Sequence, residues 1–184
     1  MTDTPDWEMA ALEALKAPAF PNARSFKTAW VAALLGFVVI LLAFVLNVYY
    51  WERWIGYFQG DNYEFDRVRD ISRLGAISGY AFGIGTVFMV ASIVFVFRGL
   101  SIDDDRRRSG TILIGTLERL KWVAMFALVL YLVSAVLRIA FGESWLEFSS
   151  YGVMRLMYYP SGAANVFLAA LPLIATHALN KSRA

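Results

Sequence analysis

Few residues in this chain are equipped for chemistry. His177 is the single histidine and there is no cysteine, which removes bis-histidine haem, thiolate zinc, iron–sulfur clusters, covalent haem attachment and disulfides together. A lone imidazole near the end of an apolar run suits a structural role at a helix C-terminus, or a single axial ligand or proton site. Acids are absent where they would matter. No Asp, Glu or Lys falls within residues 28–51, 74–97, 122–142 or 156–180, whereas ion-coupled transport usually needs an ionisable group inside the membrane. No acid–base pair is available to an intramembrane enzyme, and G-x-S-x-G, H-E-x-x-H and Walker loops are missing. "GYAFGIG" matches a nucleotide loop only superficially, since no strand precedes it. "DNYEFD" lacks the acidic spacing and glycine of an EF-hand. No enzyme activity, metal site or nucleic-acid binding is expected, and no cofactor can be named.

Polar residues inside the apolar runs are few and, apart from Arg138, uncharged, among them Asn47, Ser78, Thr86, Ser92, Ser134, Asn165 and Thr176. Arg138 sits one turn from the end of its run, where a guanidinium snorkels to the interface. A hydrogen bond between Asn47 and Asn165 would satisfy both amides at about 0.6 to 2 kcal/mol. Aromatics are concentrated instead of spread: fourteen lie in residues 49–65 and 141–159. Belts of Trp and Tyr are expected at both membrane surfaces, so a one-sided excess calls for more. Trp51, Trp54, Tyr57, Phe58, Trp145, Phe148 and Tyr151 are the candidates for packing on the chain's own loops, for a partner surface, or for holding a quinone, carotenoid or lipid.

The elements that must position these groups follow from composition. Hydrophobic residues make up 59% and charged residues 17% of the chain, against about a quarter charged in soluble domains. The four apolar runs are each long enough for a hydrocarbon core of about 30 Å. The expected fold is an all-α integral membrane protein, a four-transmembrane-helix bundle with spans at about 29–51, 74–98, 119–141 and 160–180, preceded by a cytoplasmic segment, 1–28, with a short helix from Thr4 to about Ala17. The first run is too long for a signal peptide and reads as a signal anchor. With the N-terminus inside, inner segments carry eleven basic residues and outer loops six, so both termini are expected in the cytoplasm. A bacterial inner membrane is the expected location.

Between the runs, Gly60, Asp61 and Asn62 signal a turn. Glu64–Arg67, Asp66–Arg69 and Asp70–Arg73 have the spacing of helical ion pairs, so the second helix should extend beyond the membrane. "DDDRRR" reads as a self-neutralising turn, and "SWLE" from Ser144 to Glu147 as a capping box. Pro160 suits a helix start, and Pro172 should kink the last span.

Small residues mark the packing faces. Gly75, Gly79 and Gly83 form a four-residue glycine-zipper stripe, and Ser78, Gly85 and Ser92 a second face with a seven-residue period, as left-handed packing uses. Gly162, Asn165 and Ala169 make the fourth span a plausible partner, and a helix of another chain an alternative. These faces and the one-sided aromatics lead to the expected role: a non-catalytic membrane subunit or accessory factor of a larger complex. A binder or transporter of a hydrophobic small molecule is the alternative, and a membrane immunity or regulatory protein the second.

Overall fold

A computed structural model describes residues 21–59, 65–102, 106–141 and 151–181, all of them helical. The helices are α1 (Pro21–Gln59), α2 (Phe65–Ile102), α3 (Arg106–Phe141) and α4 (Tyr151–Lys181). All four are long and apolar enough to cross a membrane. The 39 residues of α1 reach about 58 Å at about 1.5 Å per residue, well past a hydrocarbon layer of about 30 Å. The helix expected in residues 1–20, the turn at 60–62, the side-chain pairs across 103–108 and the capping box at 144–147 lie outside the described residues. So do Trp145 and Phe148, and of Phe58 and Tyr151 only the helical backbone is described.

Helices outrun the apolar stretches that nucleate them. Residues 21–28, assigned by sequence to the N-terminal segment, are part of α1, and α2 is helical from Phe65, with Asp70 and Arg73 paired at 3.6 Å on its extension. The last helix runs from Tyr151 through both Pro160 and Pro172 instead of starting at Pro160. A proline removes one helical hydrogen bond, and in a membrane protein neighbouring helices re-satisfy the disturbed turn. Next to the carbonyl that Pro160 leaves without a donor, α3 braces this turn: the Met157 carbonyl accepts from Ser134 Oγ and, at 3.3 Å, from Arg138 Nε.

The lateral order is α2, α1, α4, α3. Helix α1 is flanked by α2 and α4, α3 lies on α4, and α2 meets α3 and α4 at only a few places. All four helices converge at one end, around buried Phe26, Ala29, Val96 and Leu179 with Ile112 and Leu113 packed against them. Towards the Trp51 end, α2 and α3 line opposite sides of a cleft.

The closest seam joins α1 to α2. Ala29, Gly36 and Ala43 repeat every seven residues on α1, opposite Ser78, Gly85, Ser92 and Gly99 at the same period on α2, and all seven are buried. Ser78 Oγ donates to the Ala43 carbonyl at 3.0 Å. At the crossing, a Cβ on Gly36 would lie 3.0 Å from the Gly85 carbonyl oxygen, and one on Gly85 would lie 3.2 Å from the Gly36 carbonyl oxygen. Small residues at such a crossing let backbones approach, which is the main source of helix association in lipid.

This seam redirects the expected packing. Of the four-residue stripe only Gly75 meets a neighbour, the Tyr50 ring of α1, while Gly79 and Gly83 face outward with nothing within 4 Å of where a Cβ would stand. A stripe spaced by four winds off a helix pair that follows a seven-residue period. The principal partner of α2 is accordingly α1, not the fourth span. Helix α4 packs instead on α1, where Gly162 lies under the Phe44 ring. Exposed Leu42, Val45, Val87, Val136 and Ile139 clothe the outer faces, as suits contact with lipid chains.

Candidate ligand cleft

The cleft is built by the order of the helices. Because α1 and α4 occupy the middle, they form a floor, and α2 and α3 stand as walls on either side without closing over it. Two cavities fill this space and share Asn165 in their walls. The one nearer the Phe26 end has a volume of about 470 Å³, within the range of about 300–1,000 Å³ usual for small-molecule sites. Its walls are Met89, Val96 and Phe97 from α2, Leu113 and Leu117 from α3, and Ile40, Leu168 and Ala169 from the floor.

Thr86, Asn165 and Thr176 interrupt this apolar lining, and two further features bear on its polarity. Ser92, on the α2 wall, is fully buried and its hydroxyl has no hydrogen-bond partner among the described residues. An unmade hydrogen bond of a buried hydroxyl costs about 1–3 kcal/mol. Pro172, in the same wall, has no N–H to give, so the Leu168 carbonyl loses its helical donor. Thr176 is already spent, donating to the Pro172 carbonyl at 2.6 Å.

The second cavity, of about 290 Å³, is polar and lies towards the Trp51 end, among Asn47, Trp51, Phe82, Arg138, Tyr158 and Ser161. Arg138 turns onto α4: Nη2 donates to Ser161 Oγ at 3.1 Å, and the guanidinium lies 4.8 Å from the centre of the Tyr158 ring. That ring is stacked on Trp51 of α1 at 3.6 Å. Beside it Arg155 grips Glu52 with both fork nitrogens, Nε and Nη2 each 2.7 Å from a carboxylate oxygen, and the Tyr159 hydroxyl donates to the same carboxylate. This clasp and the Trp51–Tyr158 stack tie α1 to α4 at the mouth of the cleft.

The residues singled out from sequence divide into three groups. Ser78, Gly85 and Gly75 lie on the α1–α2 seam, and Gly162 on the α1–α4 contact. Ser92, Asn165 and Ala169 line the cleft. Gly79 and Gly83 face outward, with no described residue within 4 Å of where a Cβ would stand. Asn165 does not pair with Asn47, although both line the polar cavity; its side-chain oxygen accepts from the Tyr131 hydroxyl of α3. Among the aromatics, Trp51 packs on Tyr158, while Trp54 meets Tyr50 and Tyr57 edge-on within its own helix. Tyr57 also borders a cavity of about 560 Å³ with Arg53 and Asp70, between the far ends of α1 and α2; its charged walls lie beyond the apolar stretches and include none of the cleft's residues. His177 is exposed, its ring 6.2 Å from that of Trp30, and among the described residues no three acids or histidines gather as a metal site would need.

Sequence reasoning missed the α1 half of the seam, although the spacing of Ala29, Gly36 and Ala43 carried the signal. It also missed the Glu52–Arg155 clasp, whose partners are separated by 103 positions and have no local pattern to betray them. Comparison of the chain with protein family models, curated proteins and solved structures finds no match.

Proposed function

We propose that the chain is an integral membrane protein of a bacterial cytoplasmic membrane, with both termini in the cytoplasm, which holds a hydrophobic small molecule in the α2–α3 cleft and performs no covalent chemistry on it. The observation that carries this reading is the apolar cavity of about 470 Å³, open sideways between two long apolar helices. Two turns of a partner helix, about 10 Å wide and 11 Å long, would occupy roughly 850 Å³, so the cavity suits a chain or ring better than a helix. The unpartnered Ser92 hydroxyl supports the same reading. Native mass spectrometry of protein purified in mild detergent should show a retained small molecule. Leu117→Trp, which fills the cleft from α3 without touching the α1–α2 seam, should release it. Wild-type protein that carries nothing, and takes up no lipid, quinone or carotenoid when these are supplied, would overturn the proposal.

A second reading keeps the chain as an accessory subunit of a membrane complex. It is supported by the bare outer face at Gly79 and Gly83, which a helix of another protein could approach closely. Gly79→Leu should then remove a co-purifying subunit while leaving the isolated chain folded.

A further inference from the structure

We infer that the cleft takes an anionic amphiphile, its charged head at Arg138 and its apolar chain running between α2 and α3 towards the Phe26 end. This rests on the reading of the cleft as a small-molecule site and adds the chemistry of its occupant. The two cavities differ in character along one axis. The polar one presents Arg138, Asn47 and Ser161, and the apolar one presents aliphatic and aromatic carbon broken only by the few polar groups already described. A molecule polar at one end and apolar along the rest matches that division; a carotenoid or a bare hydrocarbon would leave the polar end unused.

Charge selects among amphiphiles. Every contact of Arg138 within the described residues is neutral: the Met157 carbonyl, Ser161 Oγ and the Tyr158 ring. A guanidinium has five N–H donors, and these contacts occupy Nε–H and one N–H of Nη2, leaving three for a ligand. No carboxylate among the described residues offsets the charge, although it lies within a helix long enough to span a membrane. Planar, forked donors suit a carboxylate or phosphate oxygen pair. Asn47, whose amide has no hydrogen-bond partner among the described residues, stands on the floor of the same cavity. Reach agrees as well: from Tyr158 to Thr176, α4 advances about 27 Å at about 1.5 Å per residue, room for the extended chain of a membrane amphiphile whose leaflet is half of about 30 Å.

The test uses photoactivatable probes on the full chain in phosphatidylcholine nanodiscs at mildly alkaline pH. One matched pair is a palmitate-length fatty acid with a mid-chain diazirine and the corresponding primary alcohol. The other is phosphatidylglycerol and phosphatidylcholine carrying the same diazirine chain. Peptide mapping should place the label on cleft residues such as Met89, Leu113, Leu117 and Leu168. The anionic member of at least one pair should label about tenfold more, the scale of a charge-assisted hydrogen bond. A preference within the fatty-acid pair identifies a free acid, and one within the phospholipid pair a resident lipid; either supports the inference. Arg138→Gln should erase the preference while leaving neutral labelling intact, and Arg138→Lys should retain most of it. The comparison within wild-type protein decides the matter even if Arg138→Gln does not fold. Equal labelling by charged and neutral members would overturn the charged-head assignment and leave the cleft as a ligand site. Failure of every probe to label the cleft would overturn both.

Discussion

Gly79 and Gly85 lie six residues apart on the same helix and present opposite situations, so the pair Gly79→Ala and Gly85→Ala isolates the α1–α2 seam. Alanine is favoured over glycine in a helix by about 1 kcal/mol at either position, and this gain cancels when the variants are compared. At Gly79 the added methyl meets nothing within 4 Å, so the gain is kept. At Gly85 it would lie 2.5 Å from Ile40 Cγ1 and 3.2 Å from the Gly36 carbonyl oxygen. Neither neighbour yields: Ile40 is buried and branched at Cβ, which stiffens its first torsion, and the carbonyl belongs to the facing backbone. The helices must therefore separate, and overpacking of this kind costs about 1–3 kcal/mol. For a chain of this length each kcal/mol moves a melting midpoint by about 2–4 °C, so Gly85→Ala should melt roughly 4–8 °C below Gly79→Ala at a cost of about 2 kcal/mol. Tryptophan fluorescence during matched thermal ramps in one detergent measures the gap. Equal midpoints, or Gly85→Ala the more stable, would refute the close crossing of Gly36 on Gly85.

Other expected outcomes follow from single features. Ser92→Ala removes a buried hydroxyl without a partner and should stabilise ligand-free protein by about 1 kcal/mol, seen as a higher melting midpoint. Glu52→Gln and Arg155→Gln, taken singly and together, should give a coupling energy of about 1 kcal/mol or less by double-mutant cycle, shrinking as salt is raised, because both side chains of the pair are over a third exposed. Gly79→Leu should leave the midpoint of the isolated chain close to that of wild type, since the outward face has room for it. Tyr131→Phe should cost about 1 kcal/mol by leaving the half-buried Asn165 oxygen without its donor, measured in the same ramps.

What could be read from the sequence was what has a period or a length. Long apolar runs, free of acids and lysine, gave the four helices, and the seven-residue recurrence of Ser78, Gly85 and Ser92 gave the buried face of α2. Which helix covers that face has no signature within α2 itself, and it became visible only with Ala29, Gly36 and Ala43 set opposite in antiparallel register. The Gly75–Gly79–Gly83 spacing looked like an equally good contact face; spacing describes a helix surface, whereas its use depends on where the neighbour lies. The cleft was less legible still. Met89, Leu117 and Leu168 belong to three helices and share no pattern, and the void between them exists because of helix order. Arg138 read locally as a snorkelling residue at a run's end, and its proximity to Asn47 and Ser161 follows from packing across three helices.

The helix order also dictates a sequence of assembly. The α1–α2 seam joins neighbours in the chain and can close as soon as both are made. Helix α1 also waits for α4, more than a hundred positions later at the Glu52–Arg155 clasp, and such distant closure is the slow step for a chain. Helix α3 has almost no partner until the same moment, since nearly all its neighbours are on α4, the helix that follows it. The last helix made is thus the keystone: it recruits α3 to one side while locking onto the finished hairpin on the other. A nascent chain halted after Phe141 would hold a formed α1–α2 pair and a third helix with almost nothing to lean on.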